Sequence, residues 1–129
     1  AGEVTGGNLS LIYSLIGTRA EPVTRGRILF IEEVGEYLYH LDRMMASLKL
    51  AGKLGRVAGL IIGGLNRMEE TKTPWGKSPE EIIMDAVAEF SLPVIFDFPA
   101  GHIPDNRAFY IGKKAKITSD GISVFFTFI

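Results

Sequence analysis

The sequence predicts an α/β domain of parallel strands with flanking helices, finished by a C-terminal β-hairpin. Three observations predict it. The runs GRILFI, RVAGLIIGG and LPVIFDF are apolar, of strand length and without polar alternation, as in strands covered on both faces. Between them lie stretches whose apolar residues recur at helical spacing. Near the C-terminus, Asp120-Gly121 divides two arms rich in strand-forming residues. Strands alternating with helices favour parallel pairing through helical crossovers.

The elements follow in order. In GGNLSLIYSLIG a glycine pair precedes Asn8, a good N-cap, and Leu9, Ile12, Tyr13 and Ile16 keep helical spacing until Gly17. Ile28 to Ile31 form the first expected strand, which ends at Glu32 and Glu33. From Gly35, the residues Leu38, Leu41, Met45 and Leu48 mark an amphipathic helix that stops near Gly52. RVAGLIIGG is the second strand and RMEETKTPWGK a polar loop. Ser78-Pro79-Glu80-Glu81 supplies an N-cap, a proline in the first turn and a capping-box glutamate. Ile82, Ile83, Ala86, Val87 and Phe90 form the inner face of that helix. LPVIFDFPAGH is a third strand ending at Pro99, and KAKITSDGISVFFTFI is the hairpin.

Composition narrows the class. Of 129 residues, 47% are hydrophobic and 22% charged, the profile of an ordinary globular domain, and no linker or repeat divides it, so one domain over 1–129 is expected. Fourteen basic residues against fifteen acidic ones, scattered along the chain, offer no bulk attraction to nucleic acid or to an anionic membrane. The absence of cysteine rules out disulfides and thiol chemistry and fits a reducing, cytoplasmic setting. No stretch reaches the length of a membrane span, and AGEVTGGNLS lacks the regions of a signal peptide. The chain starts at Ala1 rather than methionine, as a piece of a longer gene product would.

Ligands of parallel-strand domains gather beyond the carboxyl ends of the strands. Two polar groups occupy that edge: Glu32 and Glu33 after the first strand, and Gly101-His102 after the third. A carboxylate that holds a histidine can fix its tautomer and stabilise the imidazolium during general-base work. The plainer alternative is that the glutamates are solvated or capping groups and the histidine structural. Neighbouring side chains on a strand point to opposite sides, so only one of Glu32 and Glu33 can face His102. None of the serines, Ser10, Ser14, Ser47, Ser78, Ser91, Ser119 and Ser123, stands in a Gly-x-Ser-x-Gly elbow, and each has a helix, cap, turn or strand role. With two histidines, no cysteine and no H-E-x-x-H helix, no metal site is expected. Spacing alone thus yields half of an active site.

GGNLSLIYSLIGT, GRILFIEEVGEYLYHLDRMMASLKLAGKL, VAGLIIGG and FPAGH, in that order, resemble the C-terminal domain of the LD-carboxypeptidases. This serine peptidase family includes muramoyltetrapeptide carboxypeptidases and microcin C immunity proteins, and the resemblance runs from Gly6 to about Gly112. It implies a swivelling-type β/α domain that faces an N-terminal nucleophile domain, outside this chain, across a cleft. It implies a Ser-Glu-His triad in which Glu32 orients and His102 is the general base, with the serine on the other domain. The resemblance also assigns Gly7, Asn8 and Gly101 to substrate binding, against the equal alternative that Gly6, Gly7 and Asn8 only start a helix, and implies no metal or organic cofactor. Where the family commonly has aspartate after the first acid, this chain has Glu33.

The expected substrate is the murein tetrapeptide, cut before its terminal D-alanine during peptidoglycan recycling. The expected partners are the chain's own N-terminal domain and, in the full-length protein, a second copy in a homodimer. Two rivals stand beside this reading: a self-immunity peptidase acting on microcin C, and a non-catalytic binding module. Glu36, Asp42 and Arg43 match the family's E-x-x-Y-x-x-D-R helix and are read as structural, with Asp42 and Arg43 pairing at the domain interface. His40 is read as an outer-face helix residue, Trp75 as outside the site, and Met44-Met45 as packing residues.

Overall fold

The computed structural model describes residues 1–129. In chain order the elements are β1 (Gly2–Asn8), α1 (Leu9–Leu15), β2 (Ile28–Val34), α2 (Leu38–Leu50), β3 (Gly59–Asn66), α3 (Pro79–Val87), β4 (Val94–Ile95), β5 (Lys114–Ser119) and β6 (Val124–Phe128). The strands form one six-stranded sheet in the order β4-β3-β2-β1-β5-β6. β1 to β4 pair in parallel, with a helix in each connection between them, and the β5–β6 hairpin adds on antiparallel beside β1. The α/β class and the hairpin are as the sequence predicts.

Each strand's period of two divides its side chains between two cores. On one face Leu29 and Ile31 of β2 and Leu60 and Ile62 of β3 meet Leu9 and Ile12 of α1, five residues of α2, and Ile82, Ile83, Ala86 and Val87 of α3. All three helices therefore cover the same side. On the other face Val4, Ile28, Phe30 and Ile61 pack with Ala100 and Ala115, and are covered by the 98–109 segment and the hairpin. Each aliphatic side chain fully removed from water contributes about 1.5–3 kcal/mol. Met44 and Met45, in α2, are both fully buried.

Three features differ from the sequence reading. β1 is an additional strand, placed where only a glycine turn was expected. Its seven residues include three glycines, which hide a strand signal carried by Val4 and Thr5. The glycine at position 6 has a structural reason: a side chain there would collide with the backbone of Phe30. Second, β2 does not stop at the glutamates but runs through both to Val34. Third, the strand expected up to Pro99 shortens to Val94–Ile95. Asp97 adopts a left-handed conformation (φ 55°) and Pro99 has no N–H to donate, so regular pairing stops. The segment still follows β3 irregularly, through Phe98 N–H to the Ile62 carbonyl (3.0 Å) and Gly64 N–H to the Ala100 carbonyl (3.0 Å).

Two leucines of α2 calibrate this core. Leu41 is fully buried and Leu50 is 89% exposed. Leu41→Ala is expected to lower unfolding free energy by about 2–5 kcal/mol, whereas Leu50→Ala changes it by less than about 0.5 kcal/mol. Urea denaturation of the two variants checks the contrast.

Candidate active site

The period of two that sorts the core also sorts the acids. Glu32 falls in step with Ile28 and Phe30, on the sheet face covered by the 98–109 segment, and Glu33 falls in step with Leu29 and Ile31, on the helix face. Both are buried, Glu32 to 5% exposure and Glu33 to 3%, so each must find its partners inside the fold.

Glu33 finds them at the start of α1. Its Oε2 accepts from the Ser10 backbone N–H (2.8 Å) and the Ser10 hydroxyl (2.7 Å), and its Oε1 accepts from Asn8 Nδ2 (3.0 Å) and the Val34 N–H (2.9 Å). Burial opposes ionisation of this group. The bonds from Val34, Ser10 and Asn8 outweigh it and hold the carboxyl below its ordinary value. Glu33 thus takes one of the orphan N–H groups of the helix start, while Asn8 Oδ1 caps the Leu11 N–H at 3.2 Å.

Glu32 finds His102. Its Oε2 lies 2.7 Å from His102 Nδ1 and also accepts from the His102 backbone N–H at 3.3 Å. A carboxylate only accepts, so Nδ1 carries the proton and Nε2 is the ring's outward, unprotonated nitrogen in the neutral form. The imidazole is 60% exposed, and no side chain of this chain bonds Nε2. The hydrogen bond from Glu32, then its charge, and more weakly the charge of Glu33, raise the His102 pKa above its ordinary value of 6.5. Of the two glutamates, Glu32 is the one that meets His102.

Gly101 makes this approach possible. It has φ 108°, and a Cβ on it would lie 2.9 Å from the Glu32 carboxylate oxygen and 2.8 Å from Glu32 Cβ. Two asparagines fix the same turn. Asn66 Nδ2 donates to the His102 carbonyl (2.9 Å), and Asn106 Oδ1 accepts from the Gly101 N–H (3.0 Å). Sequence reasoning passed over both; Asn66 closes β3 on the same carboxyl edge as the acids, which was the available signal. Around them opens a cavity of about 480 Å³ lined by Asn66, Arg67, Gly101, His102, Ile103 and Asn106, among others.

The remaining expected residues take the following places, with Asn8 beside Glu32 in the sheet register. Gly7 sits at the C-terminal end of β1, where an added Cβ would meet nothing within 4 Å but the backbone, at φ 153°, favours glycine. Asn8 spends its side chain on the α1 cap and Glu33. Asp42 and Arg43 form no pair with each other; the Arg43 guanidinium stacks 5.4 Å over Tyr39. Trp75 lines a separate shallow groove with Tyr39, Asp42, Arg43 and Ala46. His40 is half-buried rather than an outer-face residue, with Nδ1 2.7 Å from Glu36 and its ring edge-on to Tyr13. No three His, Asp or Glu side chains converge as a metal-binding group, and no helix is long and apolar enough to cross a membrane.

A histidine held by a buried acid at the carboxyl edge of a parallel sheet has the geometry to accept a proton at its free ring nitrogen. The chain belongs to the family described as the LD-carboxypeptidase C-terminal domain, whose profile matches residues 1–117. It is 37% identical over 118 residues to a probable murein peptide carboxypeptidase of Bacillus subtilis (strain 168), covering 92% of this chain and 37% of that protein. The fold matches the crystal structure of muramoyltetrapeptide carboxypeptidase from Oxalobacter formigenes with a TM-score of 0.84 at 26% identity, over 98% of this chain and 45% of that one. The microcin C7 self-immunity protein MccF of Escherichia coli is 25% identical over 127 residues, covering 98% of this chain and 36% of that protein. The chain thus spans less than half the length of each of these relatives.

The two acids are separable by experiment. Glu32→Gln is expected to return the His102 ring pKa to 6.5 or below in an NMR titration, while Glu33→Gln leaves it nearly unmoved. Glu33→Gln is instead expected to cost about 1–3 kcal/mol of stability at neutral pH through the weakened bonds to Ser10 and Asn8. Because the folded pKa of Glu33 is depressed, its contribution is present above 4.5 and is lost as pH falls through the folded value. The gap between wild type and Glu33→Gln in denaturant melts therefore narrows below pH 4.5.

Proposed function

We propose that this chain is the C-terminal domain of a serine-type LD-carboxypeptidase that removes the terminal D-alanine from murein tetrapeptide. The observation that carries the reading is the half-exposed imidazole of His102, fixed through Nδ1 by a buried carboxylate and open at Nε2 to a group from outside the chain. The likeness to murein peptide carboxypeptidases supplies the substrate class. The nucleophilic serine belongs to an N-terminal domain across a cleft, as does the oxyanion hole.

In this mechanism His102 Nε2 takes the proton of the serine hydroxyl as its oxygen bonds to the carbonyl carbon of the L-configured centre of meso-diaminopimelate. The tetrahedral intermediate collapses, the C–N bond breaks, and His102 returns the proton to the departing amine of D-alanine. Water then repeats the sequence on the acyl ester, with His102 again the base. Glu32 keeps its hold on Nδ1 and stabilises the imidazolium each time it forms. Gly101, with the backbone at Gly7 and Asn8, lines the substrate path, and no metal or organic cofactor takes part. Peptidoglycan recycling in the cytoplasm, by a homodimer, is the setting this reading carries with it.

The likeness to MccF over 98% of this chain favours one second reading, a self-immunity peptidase for microcin C. Assaying the full-length protein on both substrates separates the two: release of D-alanine from tetrapeptide supports the murein reading, and cleavage of microcin alone replaces it. His102→Ala in the full-length protein is expected to reduce kcat at least about a thousandfold. Unchanged turnover in that variant would instead make this chain a non-catalytic module. The chain without a nucleophile domain is expected to release no D-alanine.

The raised His102 pKa sets the pH profile as well. A general base must be neutral to accept a proton, so the acid limb of kcat/KM is expected to have its midpoint above 6.5. Rate measurements from pH 5 to 9 read that midpoint.

A further inference from the structure

A peptidase that cuts before the last residue must seat an ionised C-terminal carboxylate a few ångströms beyond the bond it breaks. Desolvating that group in a closed cleft is costly unless a cation meets it. Two arginines stand near His102 in the chain's fold, and their partners distinguish them. Arg107 is spent: its Nε and Nη2 bond both oxygens of Asp105, at 3.0, 3.1 and 2.7 Å. Arg67 is exposed, takes part in none of the chain's ion pairs, and lines the same cavity as His102.

That cavity suits an anion. No aspartate or glutamate lines it, and its only ionisable side chains are Arg67 and His102. The adjoining groove, reached past Asn66 and Ile103, is lined instead by Glu80 and Asp97 and would repel a carboxylate. Arg67 is also tied to the reacting group by one residue. Its neighbour Asn66 holds the His102 carbonyl at 2.9 Å, so the arginine's backbone is fixed relative to the imidazole. Arg67 itself is left-handed (φ 52°), which turns the chain sharply off the end of β3 at this point.

We infer that Arg67 binds the free C-terminal carboxylate of the peptide substrate and thereby restricts cleavage to the last residue. The inference rests on the carboxypeptidase reading above and adds to it the residue that reads the chain end. A planar guanidinium offers two parallel N–H donors to a carboxylate, a geometry that an ammonium or a neutral amide cannot reproduce.

The test pairs a variant with a modified substrate in the full-length protein. Murein tetrapeptide is compared with the same peptide ending in D-alanine carboxamide, in wild type, Arg67→Gln and Arg67→Lys. Wild type is expected to lose roughly 10- to 100-fold in kcat/KM on the carboxamide, the range of a charged hydrogen-bonded contact. Arg67→Gln is expected to lose a similar factor on the free acid, mostly in KM, and almost nothing further on the carboxamide. Arg67→Lys keeps part of the preference. Independent, multiplying losses for variant and carboxamide would overturn the inference, as would equal wild-type turnover of acid and carboxamide, which needs no variant to fold. A wild type that cleaves neither peptide, releasing neither D-alanine nor D-alaninamide, would overturn the carboxypeptidase reading and this inference together.

Discussion

A carboxyl group buried in a strand must find hydrogen-bond donors in whatever the two layers of the sheet bring to it, and β2 carries two in succession. The strand's period sends Glu33 to the helix layer and Glu32 to the opposite layer. Each acid then organises its own surroundings. Glu33 fastens the first turn of α1 to the sheet through Ser10 and Asn8, and Glu32 draws the 101–102 turn down onto the end of β2 through the ring and backbone of His102. A carboxylate moved by one residue would meet the wrong layer, so the register of β2 governs both the stability of α1 and the chemistry of His102.

The layer opposite the helices is built to hold that turn. Phe30 of β2 packs edge-on against Phe98 and Phe109, and Phe98 in turn meets Phe126 of β6. The hairpin therefore backs the segment that carries His102. Asn66 and Asn106 close the turn from the sides, and the missing side chain of Gly101 lets it sit against Glu32. The imidazole is held at its Nδ1 side and by its backbone, yet its Nε2 side stays open. Support below and open access above leave the Nε2 side of the ring able to meet a group from outside the chain.

Much of this was legible in the sequence for physical reasons. The apolar runs around Ile28 and Leu60 carry no alternation because both faces are covered, and the Ser78-Pro79-Glu80-Glu81 signature forms the capping box it spells. Asn8 caps α1 as its residue type suggests. β1 was illegible because glycines at 6 and 7 read as a turn, although glycine at position 6 is demanded by contact with Phe30. The burial of Glu32 and Glu33 was hidden for a related reason: acids normally end a strand, and only the arrival of α1 and the 101–102 turn from distant parts of the chain makes their burial tolerable. Family resemblance, rather than spacing, singled out Glu32 over Glu33. The roles of Asn66, Asn106 and Arg67 depend on contacts across 36 residues or on a loop's local path, which no local pattern encodes.

The central claim is that the buried Glu32 carboxylate fixes the proton of neutral His102 on Nδ1 and leaves Nε2 free to act. Nitrogen-15 chemical shifts of the imidazole in the protein, recorded above the ring's pKa, test it most directly. The account predicts a protonated Nδ1 signal and an unprotonated Nε2 signal. A neutral ring protonated at Nε2, or one exchanging evenly between the two forms as in free histidine, would contradict it.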